Sequence, residues 1–146
     1  FADKKGNLYI PAEFGTVYKS RDRGQNWQAI ETGYDGSFWG GLSLANGDVL
    51  VFGMRGNVWR SSNAGKSWKQ VTTGTDQSVS GGTQLDDGRI VLAGLSGTVL
   101  VSQDNGKSFT NQPRPDRLSF ATAIGKSGDD IILLGDPGIK SHNLAE

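Results

Sequence analysis

Six side chains in this 146-residue chain are of types that could cleave or grip a polar ligand: Tyr34, Asp35, Arg55, Asp76, Arg114 and Arg117. Hydrolysis of a glycosidic bond takes two carboxyls flanking the sugar, and one variant of that chemistry uses a tyrosine nucleophile. Asp35 and Asp76 offer the carboxyls, Tyr34 a phenol, and the three arginines a set of cations for an anionic sugar. The setting argues against that use. Asp35 and Asp76 stand at matching places in two similar hexapeptides, "TGYDGS" from Thr32 and "TGTDQS" from Thr73. An aspartate that recurs in this way reads first as a repeated turn residue. Together with Glu13, Phe14, Met54, Asp116 and Asp136, the six form a mixed polar and aromatic set suited to binding a partner.

Other chemistries lack their residues. There is no cysteine, so a thiolate nucleophile, a disulfide framework and a Cys-based metal site are excluded. The single histidine, His142, has no second histidine to build a metal site with and is expected at the surface near the chain end. No metal and no cofactor is implied. Fifteen Lys and Arg balance fifteen Asp and Glu, so no summed field draws the chain to nucleic acid or to an anionic membrane. No apolar run approaches the roughly 20 residues that cross a bilayer, so direct membrane insertion is not expected. The opening "FADKKGNLYI" has no apolar leader segment, and the chain is expected to start at a processing point or inside a longer protein.

What must position these residues is a repeat. Ser20, Ser61 and Ser102 open the octets "SRDRGQNW", "SSNAGKSW" and "SQDNGKSF" at equal intervals. The same interval relates Gly15, Gly56, Gly97 and Gly138, then Val17, Val58 and Val99, then Ser37, Ser78 and Ser119. It also separates Asp35 from Asp76. A single frame is therefore expected from end to end, with repeats at 6–46, 47–87 and 88–128 and a partial one at 129–146.

Each repeat reads as four strands. Around the third octet, "SVSGGTQL", "RIVLAG", "TVLVS" and "SFTNQ" are strands, separated by the turn signals "DDG", "LSG" and "QDNGK". The runs "DVLVFG", "RIVLAG" and "DIILLG" carry no polar face, as expected for a central strand buried between neighbouring sheets. Four short strands in about 40 to 45 residues are the mark of a β-propeller blade. The predicted fold is all-β, a propeller of four-stranded antiparallel blades in a single partial domain, 1–146.

The octets then fall in the turn between the third and fourth strands. Their third residue can accept backbone N–H bonds, their fifth can take positive φ, and the closing aromatic can cover the blade edge. The pattern S-x-D-x-G-x-x-W resembles the Asp-box, or bacterial neuraminidase repeat, of sialidases, xyloglucan-cleaving glycosidases, sortilin-type receptors and photosystem II stability and assembly factors. Ser20, Asp22, Gly24 and Trp27 match it in full. Ser61, Asn63, Gly65 and Trp68 depart at Asn63, and Ser102, Asp104, Gly106 and Phe109 depart at Phe109. The flanks "VFGMRGNVWRSSNAGKSW" and "LAGLSGTVLVSQDNGKSF" are most similar to the assembly-factor type.

That resemblance implies a non-catalytic scaffold that binds a protein client during assembly of a membrane protein complex, in an exported setting, either periplasmic or lumenal/extracellular. It also implies that the boxes lie away from the ligand face. The binding residues would then be Tyr34, Asp35, Arg55, Asp76, Arg114 and Arg117, at the opposite end. The alternative is carbohydrate binding or sialidase-like hydrolysis, but the Arg-Ile-Pro stretch of sialidases is absent, since "YIPAE" has no arginine before Ile10. "RPDR" at Arg114 is the most distinctive loop, and Phe38 and Trp39 are candidates for the channel wall or for interblade packing. Three, four, four and three strands make about three and a half blades, half of a seven-bladed ring. A second copy of the chain, or a missing N-terminal half, is expected to close it.

Overall fold

A computed structural model describes residues 1–146. Fourteen strands form four antiparallel sheets. The first holds β1 (Leu8–Pro11), β2 (Thr16–Ser20) and β3 (Gln28–Glu31). The second holds β4 (Phe38–Ser43), β5 (Val49–Gly53), β6 (Val58–Ser61) and β7 (Lys69–Val71). The third repeats it with β8 (Val79–Gln84), β9 (Ile90–Gly94), β10 (Val99–Ser102) and β11 (Thr110–Asn111). The last holds β12 (Thr122–Ser127), β13 (Asp130–Gly135) and β14 (Gly138–Asn143). Every sheet runs in sequence order, as a β-meander blade does.

The first strands β4, β8 and β12 lie side by side, so the sheets radiate from them. That approach is close enough to need glycine: a Cβ on Gly81 would sit 2.4 Å from the carbonyl oxygen of Ala121 in the next sheet. In the first sheet, Phe1 exchanges both backbone hydrogen bonds with Tyr9, the place that Leu42 holds opposite Leu50 in the second. β5 and β9 are buried along their whole length. Alternate side chains on them face the preceding and the following sheet, and three apolar clusters fill the gaps. Tyr9 and Val17 meet Val49, Val51 and Trp68; Leu50 and Val58 meet Ile90, Leu92 and Phe109; Val91 and Val99 meet Ile131 and Leu133. Each fully buried Leu or Ile in such a gap contributes about 1.5–3 kcal/mol.

The octets are the turns joining β2 to β3, β6 to β7 and β10 to β11. In each, the serine hydroxyl accepts the N–H of the glycine four residues on, at 2.8, 2.8 and 2.9 Å, and donates to the side chain at the third position. That side chain accepts the N–H of the seventh residue in turn: Asn26 N to Asp22, Ser67 N to Asn63 and Ser108 N to Asp104, all at 2.8–3.0 Å. The fifth-position glycines are left-handed, as expected. The fourth residues are left-handed too, with φ of 60° at Arg23, 58° at Ala64 and 59° at Asn105, which two of the three residue types do not advertise.

Asp22 is held at about 2 by the Asn26 side chain, the Asn26 N–H and the Ser20 hydroxyl. At Asp104, burial would raise the carboxyl, but hydrogen bonds from Ser108, Ser102 and Lys107 outweigh it and also hold it at about 2. A carboxyl depressed in the folded state stabilises the fold above its unfolded value, near 3.8, and that contribution is lost as pH falls through the folded value. The part of the stability that depends on the ionised carboxyls of the first and third boxes should therefore disappear between about pH 4 and pH 2. Asn63 performs the same role uncharged, so Asp104→Asn should leave neutral-pH stability within about 0.5 kcal/mol, whereas Asp104→Ala should cost about 1–3 kcal/mol. Urea unfolding at pH 7 checks both, and the Asp22→Asn, Asp104→Asn double variant should show a flatter acid limb than the parent.

Candidate functional site

The end of the sheets opposite the Asp-boxes is built from two kinds of loop: the hairpins between second and third strands, and the crossings from one sheet to the next. Backbone bonds tie them together. Gly15 N donates to Gly36 O at 2.8 Å, Met54 N to Ser37 O at 3.1 Å, Leu95 N to Ser78 O at 2.9 Å and Gly97 N to Leu118 O at 2.9 Å. In the first three sheets the hairpin tip is a non-glycine residue in left-handed conformation: Phe14 (φ 54°), Arg55 (φ 55°) and Ser96 (φ 53°). The Arg55 and Ser96 N–H groups donate to the Ser78 and Ser119 hydroxyls, each at 3.2 Å. The tip side chains stand outward: Phe14 is 74% exposed and Arg55 is exposed.

The six residues singled out in the sequence are not all gathered into one cluster. Arg55, Asp35, Asp76 and Arg117 are exposed on this end, each on its own loop, and Asp76 accepts a hydrogen bond from neighbouring Gln77 at 2.8 Å. Tyr34 instead packs between the first two sheets, its ring 5.2 Å from Phe38 and 6.1 Å from Trp59, and its hydroxyl donates to Met54 O. Burial pushes its phenol above the ordinary value. Phe38 is buried interblade packing, while Trp39, on the bulge that interrupts β4–β5 pairing, is 47% exposed. Arg114 folds back: it pairs with Asp116, lies 5.4 Å over the Phe120 ring, and reaches Nδ1 of His142 at 3.1 Å.

Two expectations fail here for one reason. His142 is half-buried rather than exposed, and the strand pairing in the last sheet is one residue off the register of the others. Phe52 pairs with Val58 and Ala93 with Val99, but Leu134 pairs with Ile139 instead of Lys140. The cause is Pro137, which occupies the tip position held by Phe14, Arg55 and Ser96. A proline ring locks φ at roughly −65°, so the left-handed tip is forbidden. The hairpin closes as a two-residue turn, Asp136–Pro137, and β14 shifts by one residue. A one-residue slip exchanges the faces of a strand. His142 thereby moves opposite Ile131, on the face toward the third sheet, and meets Arg114.

Since the arginine can only donate, Nδ1 accepts and the imidazole is neutral with its proton on Nε2. Burial and the Arg114 charge both push its pKa below the ordinary value. Arg114, Gln112, Asp130, His142, Asn143 and Glu146 line a cleft of about 730 Å³ beside β14. No local signal marked it. The proline in "GDPG", set against "GMRG" and "GLSG", was the visible clue.

Four radial antiparallel sheets of three or four strands, the first three each carrying an Asp-box turn between its last two strands, define a partial β-propeller. The BNR-Asp box repeat family model matches residues 58–71, the second box and the strands on either side of it. No curated protein matches the sequence. Among solved structures, an ancestral GH74 enzyme is similar at 18% identity and a TM-score of 0.74, covering 92% of this chain and 21% of its own. YCF48 from Cyanidioschyzon merolae is similar at 13% identity and 0.73, covering 100% and 50%. A structure of YCF48 bound to D1 peptide gives 15% and 0.58, covering 89% and 46%. The chain thus spans between a fifth and a half of these proteins, and the likeness is one of fold.

If Pro137 sets the slip, Pro137→Ser, which installs the residue found at the third tip, should return β14 to the common register. The cross-strand nuclear Overhauser contact of Leu134 with Ile139 should give way to one with Lys140, and the His142 ring signals should lose their dependence on Arg114. Persistence of the Leu134–Ile139 contact would show that the slip has another cause.

Proposed function

We propose that this chain is the binding half of a non-catalytic propeller scaffold that holds a client polypeptide at the loop end, in the manner of factors for assembly of a membrane protein complex outside the cytoplasm. The observation that carries this reading is the row of outward side chains, Phe14, Trp39, Arg55 and Arg117, on a backbone tied down by the loop-to-loop bonds. An exposed Phe at φ 54° is a local strain that the fold itself does not require, since glycine would fit there at lower cost. Aromatic and arginine side chains held rigidly are the residues that dominate protein interfaces. The YCF48 structure with a D1 peptide supports a peptide as the class of client.

The sheet faces at either end of the array are apolar and open. Ile10 and Tyr18 on the first sheet are 48% and 41% exposed, and Ile124 and Ile139 on the last are 48% and 70% exposed. Further repeats, from the same polypeptide or a second copy, would cover them. Two copies end to end would carry eight sheets rather than seven, so a seven-bladed ring would join the four sheets of this chain to three further sheets from elsewhere.

Phe14→Gly and Arg55→Gly should each relieve left-handed strain, leaving stability unchanged or raised by up to about 1 kcal/mol. Each should weaken binding of a D1 peptide about fivefold or more in a fluorescence titration. Binding that ignores both changes, or no binding by the parent, overturns the reading. Light scattering should give a mass rising with concentration above 15.6 kDa, and Ile139→Lys should suppress the rise. A monomer at every concentration would show that the open faces do not recruit a second copy.

A further inference from the structure

Between the first two sheets, at the Asp-box end, the fold leaves positive charge without a counter-ion. Lys19, the residue before the first box, is only 4% exposed. Its ammonium donates to the carbonyl of Ala64 in the second box at 2.5 Å and lies 5.3 Å from the Tyr9 ring centroid, but it forms no ion pair. It forms the floor of a cavity of about 210 Å³ whose mouth carries exposed Arg21 and Lys66, with Gln28, Ala64 and Gly65 in the walls and no carboxylate in the lining.

The next interblade gap shows what is missing. There Arg60, which holds the place of Lys19 one repeat on, makes the equivalent bond to Asn105 O at 3.0 Å and is neutralised by Asp48. The residue in Asp48's place in the first repeat is Asn7. Asp3, the acidic group that acts on Lys19, is already taken by Lys5 N, by Asn7 N and Nδ2 and by the Tyr9 hydroxyl. Burial first, and then the Arg21, Lys66 and Lys5 charges, depress the Lys19 ammonium against the pull of Asp3. A buried ammonium without a counter-charge is costly, and a bound anion removes the cost.

We propose that this pocket binds a tetrahedral oxyanion, a phosphate or sulfate group, either free or as an ester projecting from a larger molecule. Lys19 offers its remaining N–H donors from the floor, Arg21 a planar fork and Lys66 a flexible ammonium from the rim. The volume is below that of pockets for drug-sized ligands and suits one such group.

The test is a titration of the chain with sodium phosphate and with sodium sulfate, at ionic strength held constant with sodium chloride, followed by amide NMR shifts and by Tm. Saturable shifts at Ala64, Gly65 and Lys66 and a rising Tm are expected with one anion or both. Arg21→Gln and Lys66→Gln, whose side chains make no hydrogen bond within the fold, should keep their Tm in chloride and weaken the anion about tenfold each. O-phosphoserine separates the sources: binding like that of inorganic phosphate points to an ester, and exclusion of it to a free ion, each within the proposal. Shifts no different from those in chloride, or saturation unchanged in both variants, overturn it.

Discussion

A strand that is apolar on both faces cannot be covered by its own sheet. β5 and β9 are such strands, and most of the structure is a consequence of finding partners for them. Each sheet needs a neighbour on either side, and similar repeats supply one at every step within the chain, so the chain becomes a radial array with its apolar residues in the gaps. Because the first strands converge at the centre, backbone approaches backbone there and glycine replaces side chains. Because the fourth strands diverge, they need little burial, and they shorten to two residues at β11. The same demand leaves the outer faces of the first and last sheets apolar.

Much of this was legible in the residues because the period holds without a break in the turns that matter. Serine, aspartate or asparagine, glycine and an aromatic at fixed offsets placed three turns, and the runs between them placed the strands to within a few residues. The boxes fold as their chemistry requires, down to asparagine replacing aspartate at 63 without loss of a bond. What could not be read was set by tertiary context. A left-handed Arg23 or Ala64 is imposed by the turn, against the preference of the residue itself. Tyr34 sits in a loop of polar residues, yet Phe38 and Trp59 claim its ring. His142 looked like a terminal residue until the proline five positions earlier shifted its strand and turned it inward. A local pattern gives the period of a strand, but register depends on the hairpin that precedes it.

The candidate binding end was legible only as a set of loops. Their order in the chain names which residues are there but not which point outward, and pointing is decided by φ at the tips. Three tips adopt the same left-handed turn with three unlike side chains, Phe14, Arg55 and Ser96. The scaffold therefore holds the backbone constant and leaves the choice of side chain open, so that a repeat can be specialised for a ligand at the cost of only a local strain at the tip.

At the opposite end the boxes do more than reverse the chain. The residue before the first serine of each of the first two boxes is a cation that reaches forward to the next box: Lys19 to Ala64 O and Arg60 to Asn105 O. The acceptor is each time the left-handed fourth residue, so the unusual φ turns that carbonyl toward the preceding sheet. The aromatic that closes the box packs backward into the same gap, and its burial reports whether a preceding sheet is there: Trp68 and Phe109 are each 9% exposed, whereas Trp27 in the first box is 40% exposed. Forward cation and backward aromatic cross the same gap, so each box latches two blades as well as closing one. In the second and third boxes the strain of the left-handed fourth residue is thus offset by a charge-assisted bond from the preceding repeat; Arg23 in the first box holds the same conformation without that bond, so the turn itself sets the conformation and the neighbour uses it.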